Sequence, residues 1–156
     1  MQKLLLIAGA LLTLSACANT PTPITPTAPI VPGPQDTLLS SGSFYPVVHP
    51  GSGAAAVVRG PDGKRRLEIK NLITDDGPAV YVWLSTADTP KSSASVSTNP
   101  SDYRQLSEEL PRGVYPLNAS YVLPDDLDLS RFRSVVLWCV EFKVNFASAA
   151  LTTEPQ

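Results

Sequence analysis

The run SVVLWCVEFKVNFASAAL, from Ser134 to Leu151, alternates with a period of two. Val136, Trp138, Val140, Phe142, Val144 and Phe146 fall on one side of it, and Val135, Leu137, Cys139, Glu141, Lys143 and Asn145 on the other. Successive side chains of a strand point to opposite faces, whereas a helix brings residues three and four apart onto one stripe. The pattern therefore predicts an extended strand, with the first set buried in a core. The second set starts apolar and turns polar, which puts Cys139 where a buried surface gives way to water.

Strand-like runs recur upstream at short spacing. RGPDGKRR sets a Pro-Asp-Gly turn between AAAVVR and RLEIKNL and predicts a hairpin. In RRLEIKNL, Leu67, Ile69 and Asn71 alternate with Arg66, Glu68 and Lys70, so one face is buried and the other solvated. GPAVYVWLS is apolar on both faces, with Val80, Val82 and Leu84 on one and Tyr81 and Trp83 on the other. Such a strand belongs inside a sheet covered on both sides, or beside a second buried patch. Ser85 to Pro111 is poor in large apolar residues and reads as a long loop, with one helical turn at Asp102 to Leu106. LPDDLDLSRFRS predicts a short 3₁₀ or α turn at Asp128 to Phe132. No long helical period appears, so the expected fold is all-β, an antiparallel β-sandwich or barrel with long loops.

The N-terminus obeys different rules. MQKLLLIAGALLTLSAC has Lys3 before an apolar stretch, Leu4 to Leu12, too short to span a bilayer, as in a signal peptide. Its end, Leu14-Ser15-Ala16-Cys17, resembles the bacterial lipobox, in which the cysteine sulfur takes a diacylglyceryl group and becomes the first residue after cleavage. Proline follows at 21, 23, 26, 29, 32 and 34, which fixes φ repeatedly and keeps the segment extended. The organisation read from this is a signal peptide at 1–16, a lipidated cysteine with a Pro/Thr-rich linker at 17–36, and a β domain at 37–152. The localisation it implies is the bacterial cell envelope, with the N-terminal lipid as the link to the membrane.

Chemistry is narrowed mostly by what is missing. Lipidation would consume Cys17, leaving Cys139 unpaired in an oxidising compartment, where free thiols are uncommon. Either Cys139 is a small hydrophobe in the core or its reactivity is used. His49 is the sole histidine, so neither a two-histidine metal centre nor a hydrolytic triad can be built, and no metal site is expected. Asp125 to Asp128 offers too few oxygens for calcium. There is no CxxCH, CxxC, GxGxxG or P-loop. Haem, if bound, would have only His49, Cys139 or a tyrosine as ligand. A formal charge of −2 without a basic stripe argues against a nucleic-acid partner.

The segments SGSFYPVVHPGSGAAAVV, RRLEIKNLITDDGPAVYVWLS, SYVLPDDLDLSRFRSVVLWCVEF and VNFASAAL resemble the DM13 domain family over Ser41 to Leu151. The Trp-Cys pair followed by the FASAAL ending is the most specific part. The resemblance implies a β-rich module with a proposed role in electron transfer, through a cysteine that is a bare thiol or holds a prosthetic group. By motif that cysteine is Cys139, and the family's histidine after its first G-x-F is His49, a possible partner in redox chemistry or cofactor binding. The family usually has an acidic residue after Gly-Pro, where Ala79 follows Gly77-Pro78 here. Lys143, two steps of two along the strand, would lie about 13 Å from Cys139 and so too far to assist it. Two functions follow. One is an envelope redox module, not an enzyme by itself, with an envelope redox partner. The other is a binding or adhesion module with a structural Cys139, whose recognition surface would be Tyr81, Trp83 and the Ser85 to Pro111 loop.

If Cys17 carries the anchor, the wild-type protein should incorporate a fatty-acid analogue and sediment with membranes, while Cys17→Ser should do neither. Label retained by the Cys17→Ser protein would refute lipidation at this residue.

Overall fold

β1 (Thr37–Pro46) pairs along most of its length with β2 (Gly51–Arg59) and, over its last three residues, with a different strand, β8 (Val144–Ala150). This sharing gives the molecule its shape. The computed structural model describes residues 32–153; the signal peptide, Cys17 and the linker before Pro32 lie outside the described residues. The remaining strands are β3 (Arg65–Thr74), β4 (Val80–Ser85), β5 (Tyr103–Gln105), β6 (Leu117–Leu123), β7 (Ser134–Cys139) and β9 (Thr152–Thr153). Two 3₁₀ turns, Ser93–Ser95 and Leu129–Arg131, are the only helical segments among the described residues.

The fold is all-β and antiparallel. One continuous sheet runs β5-β4-β7-β8-β1-β2-β3-β6, with β9 beside β1. It curls into a half-barrel, and residues from both halves meet in one cluster. Leu67, Ile69 and Leu72 of β3 join Val80, Val82 and Leu84 of β4 and Val135, Leu137 and Cys139 of β7 there. β1 changes partner between Ser43, opposite Ala54, and Phe44, opposite Ala149. Just before that point Gly42 passes so close to Ala150 that a Cβ there would strike the Ala150 carbonyl. Only glycine fits this crossing.

The expected hairpin is present: Gly60 N–H donates to the Lys64 carbonyl at 2.9 Å, and Gly63 takes φ +79° in the turn. β4 lies inside the sheet between β5 and β7 and is covered on both sides, as its two apolar faces require. Tyr81 and Trp83 face a second cluster formed by Trp83, Val96, Val136 and Trp138. The long loop after β4 is its lid. Val96 plugs into it, Ser93 Oγ accepts from the Asn145 N–H at 2.9 Å, and Ser134 Oγ and Tyr45 Oη donate to the Ala87 and Pro90 carbonyls at 2.7 and 3.1 Å. Asp128 Oδ1 caps the second 3₁₀ turn by accepting from the Ser130 N–H at 3.1 Å, where the sequence predicts such a turn.

Four expectations need correction. The run from Ser134 is not one strand: β7 stops at Cys139, residues 140–143 turn, and β8 returns with Val144 opposite Cys139. The turn swaps parity, since Val144 shares a face with Cys139: even-numbered residues face outward in β7 and inward at the start of β8, and because both faces of β7 are apolar the sequence alternation runs on without showing it. Val140 and Phe142 therefore lie exposed at the turn, at 45 % and 60 %. Trp138 and Val136 are buried as expected, but under the outer loop, while Val135, Leu137 and Cys139 supply the main core. Asp102 to Leu106 is not a helical turn, because Tyr103–Gln105 pairs along β4. Asn71 is not an inward residue of β3: it takes φ +51° at a bulge, and Leu72 fills the inner position. Trp83, finally, is 3 % exposed beneath the loop, so it is no recognition surface.

These placements separate two aromatic truncations. Trp138→Ala should cost about 3–5 kcal/mol, much of a typical domain stability of about 5–15 kcal/mol, and should lower the melting temperature sharply. Phe142→Ala should change stability by less than about 0.5 kcal/mol. Equal melting temperatures for the two would contradict the hairpin.

Candidate functional site

Cys139 ends β7, opposite Val80 on one side and Val144 on the other, and is fully buried. Its thiol donates to the Pro78 carbonyl at 3.0 Å, and the next N–H, from Val140, donates to the Ala79 carbonyl at 3.0 Å. The segment Asp75 to Ala79, which joins β3 to β4, is thus fastened along the end of the cysteine strand. Other groups hold the same segment. Ala79 N–H donates to Glu109 Oε1 at 3.0 Å, and Asp76 Oδ1 accepts from the Gly113 N–H at 2.9 Å. Ala79, standing where the resembled family has an acid, takes φ +52° and contributes only backbone.

His49 reaches this end of the sheet by another route. A bulge in β8 puts two residues, Phe146 and Ala147, opposite Leu137, between the Val136–Ser148 and Trp138–Asn145 pairs. The Phe146 carbonyl then accepts from the N–H groups of Val47, Val48 and His49, at 3.1, 3.2 and 3.1 Å. Three donors on one oxygen fix the loop after β1, so that the His49 ring stacks on the Phe146 ring, centroids 3.8 Å apart at 27°. His49 Nδ1 lies 3.0 Å from Asp75 Oδ2, and both side chains are open to solvent at 31 % and 53 %. Phe146 is itself 2 % exposed and belongs to the cluster that contains Cys139. Gly77 closes the arrangement, since a Cβ there would meet the Phe146 ring.

The sequence-predicted pair is therefore brought to one end of the half-barrel but not into a hydrogen bond. Cys139 is partnered by Pro78 and His49 by Asp75 and the Phe146 face. Lys143 is not farther along a strand, as the sequence suggested, but sits in the exposed turn at φ +54°. Asp75, Gly77, Pro78 and Phe146 were not recognised as site residues. Thr74 to Gly77, TDDG, carries an ordinary turn signal, and only its place inside the family-like segment RRLEIKNLITDDGPAVYVWLS points to more. The Asp125 to Asp128 run gathers no metal site, and among the described residues no group of three His, Cys, Asp or Glu side chains could hold a metal ion.

Haem does not fit these residues. Ligation by Cys139 needs an open face on the sulfur, whereas this sulfur is fully buried and engaged with a carbonyl. Neither cleft described along the sheet is lined by Cys139 or His49. The sulfur's situation also limits thiol chemistry, because exchange and alkylation need access to a thiolate. A different connection does lead outward. Trp138, the residue before Cys139, stacks on Trp83 with centroids 5.3 Å apart at 24°, and Trp83 stacks on Tyr103 at 3.8 Å and 12°. Tyr103 is half-buried, so the stack runs to the surface from the outer face of β7, opposite the face that carries the thiol.

A family model described as electron transfer DM13 matches residues 43–151, more than half of the chain. No curated protein and no solved structure matches it.

In the folded protein Cys139 should react with iodoacetamide at least about a hundredfold more slowly than a free thiol, because reaction must wait for local opening. Gly77→Ala, whose methyl displaces the Phe146 ring, should accelerate it. Fast, stoichiometric alkylation of the wild type would mean that the sulfur is not enclosed.

Proposed function

The chain belongs to the DM13 family, and from that premise we propose that it is a lipid-anchored module of the bacterial cell envelope with a redox role, electron transfer through Cys139. The anchor in this reading is Cys17, supported by the Leu-Ser-Ala-Cys signal, and the proline-rich linker holds the domain away from the lipid. One observation carries the redox part. The buried sulfur is one residue along β7 from Trp138, whose ring, on the opposite face of the strand, begins a stack with Trp83 and Tyr103, the last of which is half-exposed. Electron transfer, unlike disulfide exchange, does not require the sulfur to touch its partner. The side chain able to change oxidation state can then stay enclosed while Tyr103 offers the point of approach. His49, stacked on Phe146 at the edge of the same core, tunes the surroundings of that end without ligating anything.

A second reading is favoured by a specific contact. The S–H to Pro78 hydrogen bond and the full burial of Cys139 are what a structural cysteine in a binding or adhesion module would show. Voltammetry separates the two. The purified chain adsorbed on an electrode is expected to give a redox signal that vanishes in Cys139→Ala, with both proteins melting cooperatively. A silent wild type, or a signal surviving Cys139→Ala, would leave the binding module as the function.

A further inference from the structure

We propose that the cleft between the curled sheet and the segment 124–133 binds an amphipathic anion, an alkyl chain ending in a carboxylate. It lies at the opposite end of β7 from Cys139: Arg133, on its rim, precedes the strand that Cys139 ends, six residues or about 20 Å away at strand rise. The cleft measures about 410 Å³, which falls within the range of about 300–1,000 Å³ usual for small-molecule sites.

Its lining has two characters. Leu39, Val57, Leu129, Phe132 and Leu151 make it apolar. Arg59, Arg65 and Arg133 bring three guanidinium groups, against Asp128 as the one carboxylate. Asp128 is already committed. Its Oδ1 accepts from Ser130 Oγ at 2.6 Å and Ser130 N–H at 3.1 Å, which holds the carboxyl below its usual range and keeps it charged. Arg65 is committed as well, through bonds to the carbonyls of Leu127, Pro124 and Asp125 at 3.0, 2.7 and 2.8 Å. It shapes the cleft by fastening the covering segment to β3, and carbonyl partners leave its charge unneutralised. Arg59 and Arg133 donate no side-chain hydrogen bond and join no ion pair among the described residues. Two unpaired guanidinium groups at the mouth of an apolar cleft fit a carboxylate, whose two oxygens match the guanidinium fork. The alkyl chain would lie along the leucines and Phe132.

The test uses the mature chain from residue 17 with Cys17→Ser, prepared without detergent, and decanoate below its micelle concentration, with calorimetry and backbone NMR as readouts. Saturable binding that shifts resonances of residues 124–133 is expected, with acetate and decanol each at least about tenfold weaker. Arg59→Ala and Arg133→Ala should each weaken decanoate about tenfold, and Arg133→Lys should recover part of the loss. Melting temperatures identify any variant that fails to fold; for such a position Arg59→Gln or Arg133→Gln is titrated in its place. Binding unchanged in the folded double arginine variant would overturn the proposal, as would the absence of saturation. So would capture by phosphatidylglycerol vesicles without binding of the monomer, since that would make the arginines a membrane contact.

Discussion

β1 is hydrogen-bonded to both halves of the sheet, and everything else depends on its change of partner. Had it stayed with β2 along its whole length, β8, β7 and β4 would form a separate layer. By crossing from Ala54 to Ala149 as its partners, it makes the halves one surface and folds that surface round a single apolar filling. The crossing demands an approach that no side chain allows, which is why Gly42 stands against the Ala150 carbonyl. Curling has a further consequence, since a strand in the wall of a half-barrel has an inside and an outside. β4 and β7 are apolar on both, so their outer face must be covered too. The loop after β4 does this with Val96 and with hydrogen bonds to β1, β7 and β8.

The enclosed cysteine is a product of the same geometry. Cys139 would be at the margin of a flat sheet, but here the β3–β4 connection folds over the end of β7 and takes the thiol as a donor. Bonds of 3.0 Å from the Ala79 N–H to Glu109 and of 2.9 Å from the Gly113 N–H to Asp76 tie that connection down. No buried side-chain nitrogen or oxygen among the described residues lacks a partner. Such full satisfaction makes the region stiff, which suits a group meant to stay shielded and works against one meant to exchange with solutes. A redox role for this sulfur consequently rests on conduction across the β7 backbone, on whose other face the Trp138–Trp83–Tyr103 stack leads outward.

The two ends of the half-barrel differ in kind. Around Cys139 the surface is formed by His49, Asp75 and the exposed Val140 and Phe142 of the hairpin turn. At the other end Arg65 is spent on three backbone carbonyls, and Arg59 and Arg133 stand unpaired beside an apolar cleft. This separation lets one end change without disturbing the other, because no residue lines both.

Much of this was legible beforehand. Alternation along Leu67 to Ile69 and along Val80 to Leu84 determined β strands, and the Pro-Asp-Gly turn determined a hairpin, because side-chain direction and turn conformation are local properties of the chain. The apolar character of both faces of β4 likewise required a double cover. The family of the chain was also readable from short motifs. Tertiary structure alone decided the rest. The turn at 140–143 hides in the sequence because both faces of β7 are apolar, so its swap of parity leaves the apolar alternation intact, and its positive-φ residue is Lys143, not a glycine. Which face of β7 met the main core depended on the direction of curl, and that depended on β1 changing partners over a distance of a hundred residues. Whether His49 would touch Cys139 was settled by the bulge that turned Phe146 between the strands and gave the histidine a ring to rest on. Contacts of this kind join residues far apart in the chain, and no local period or turn signal encodes them.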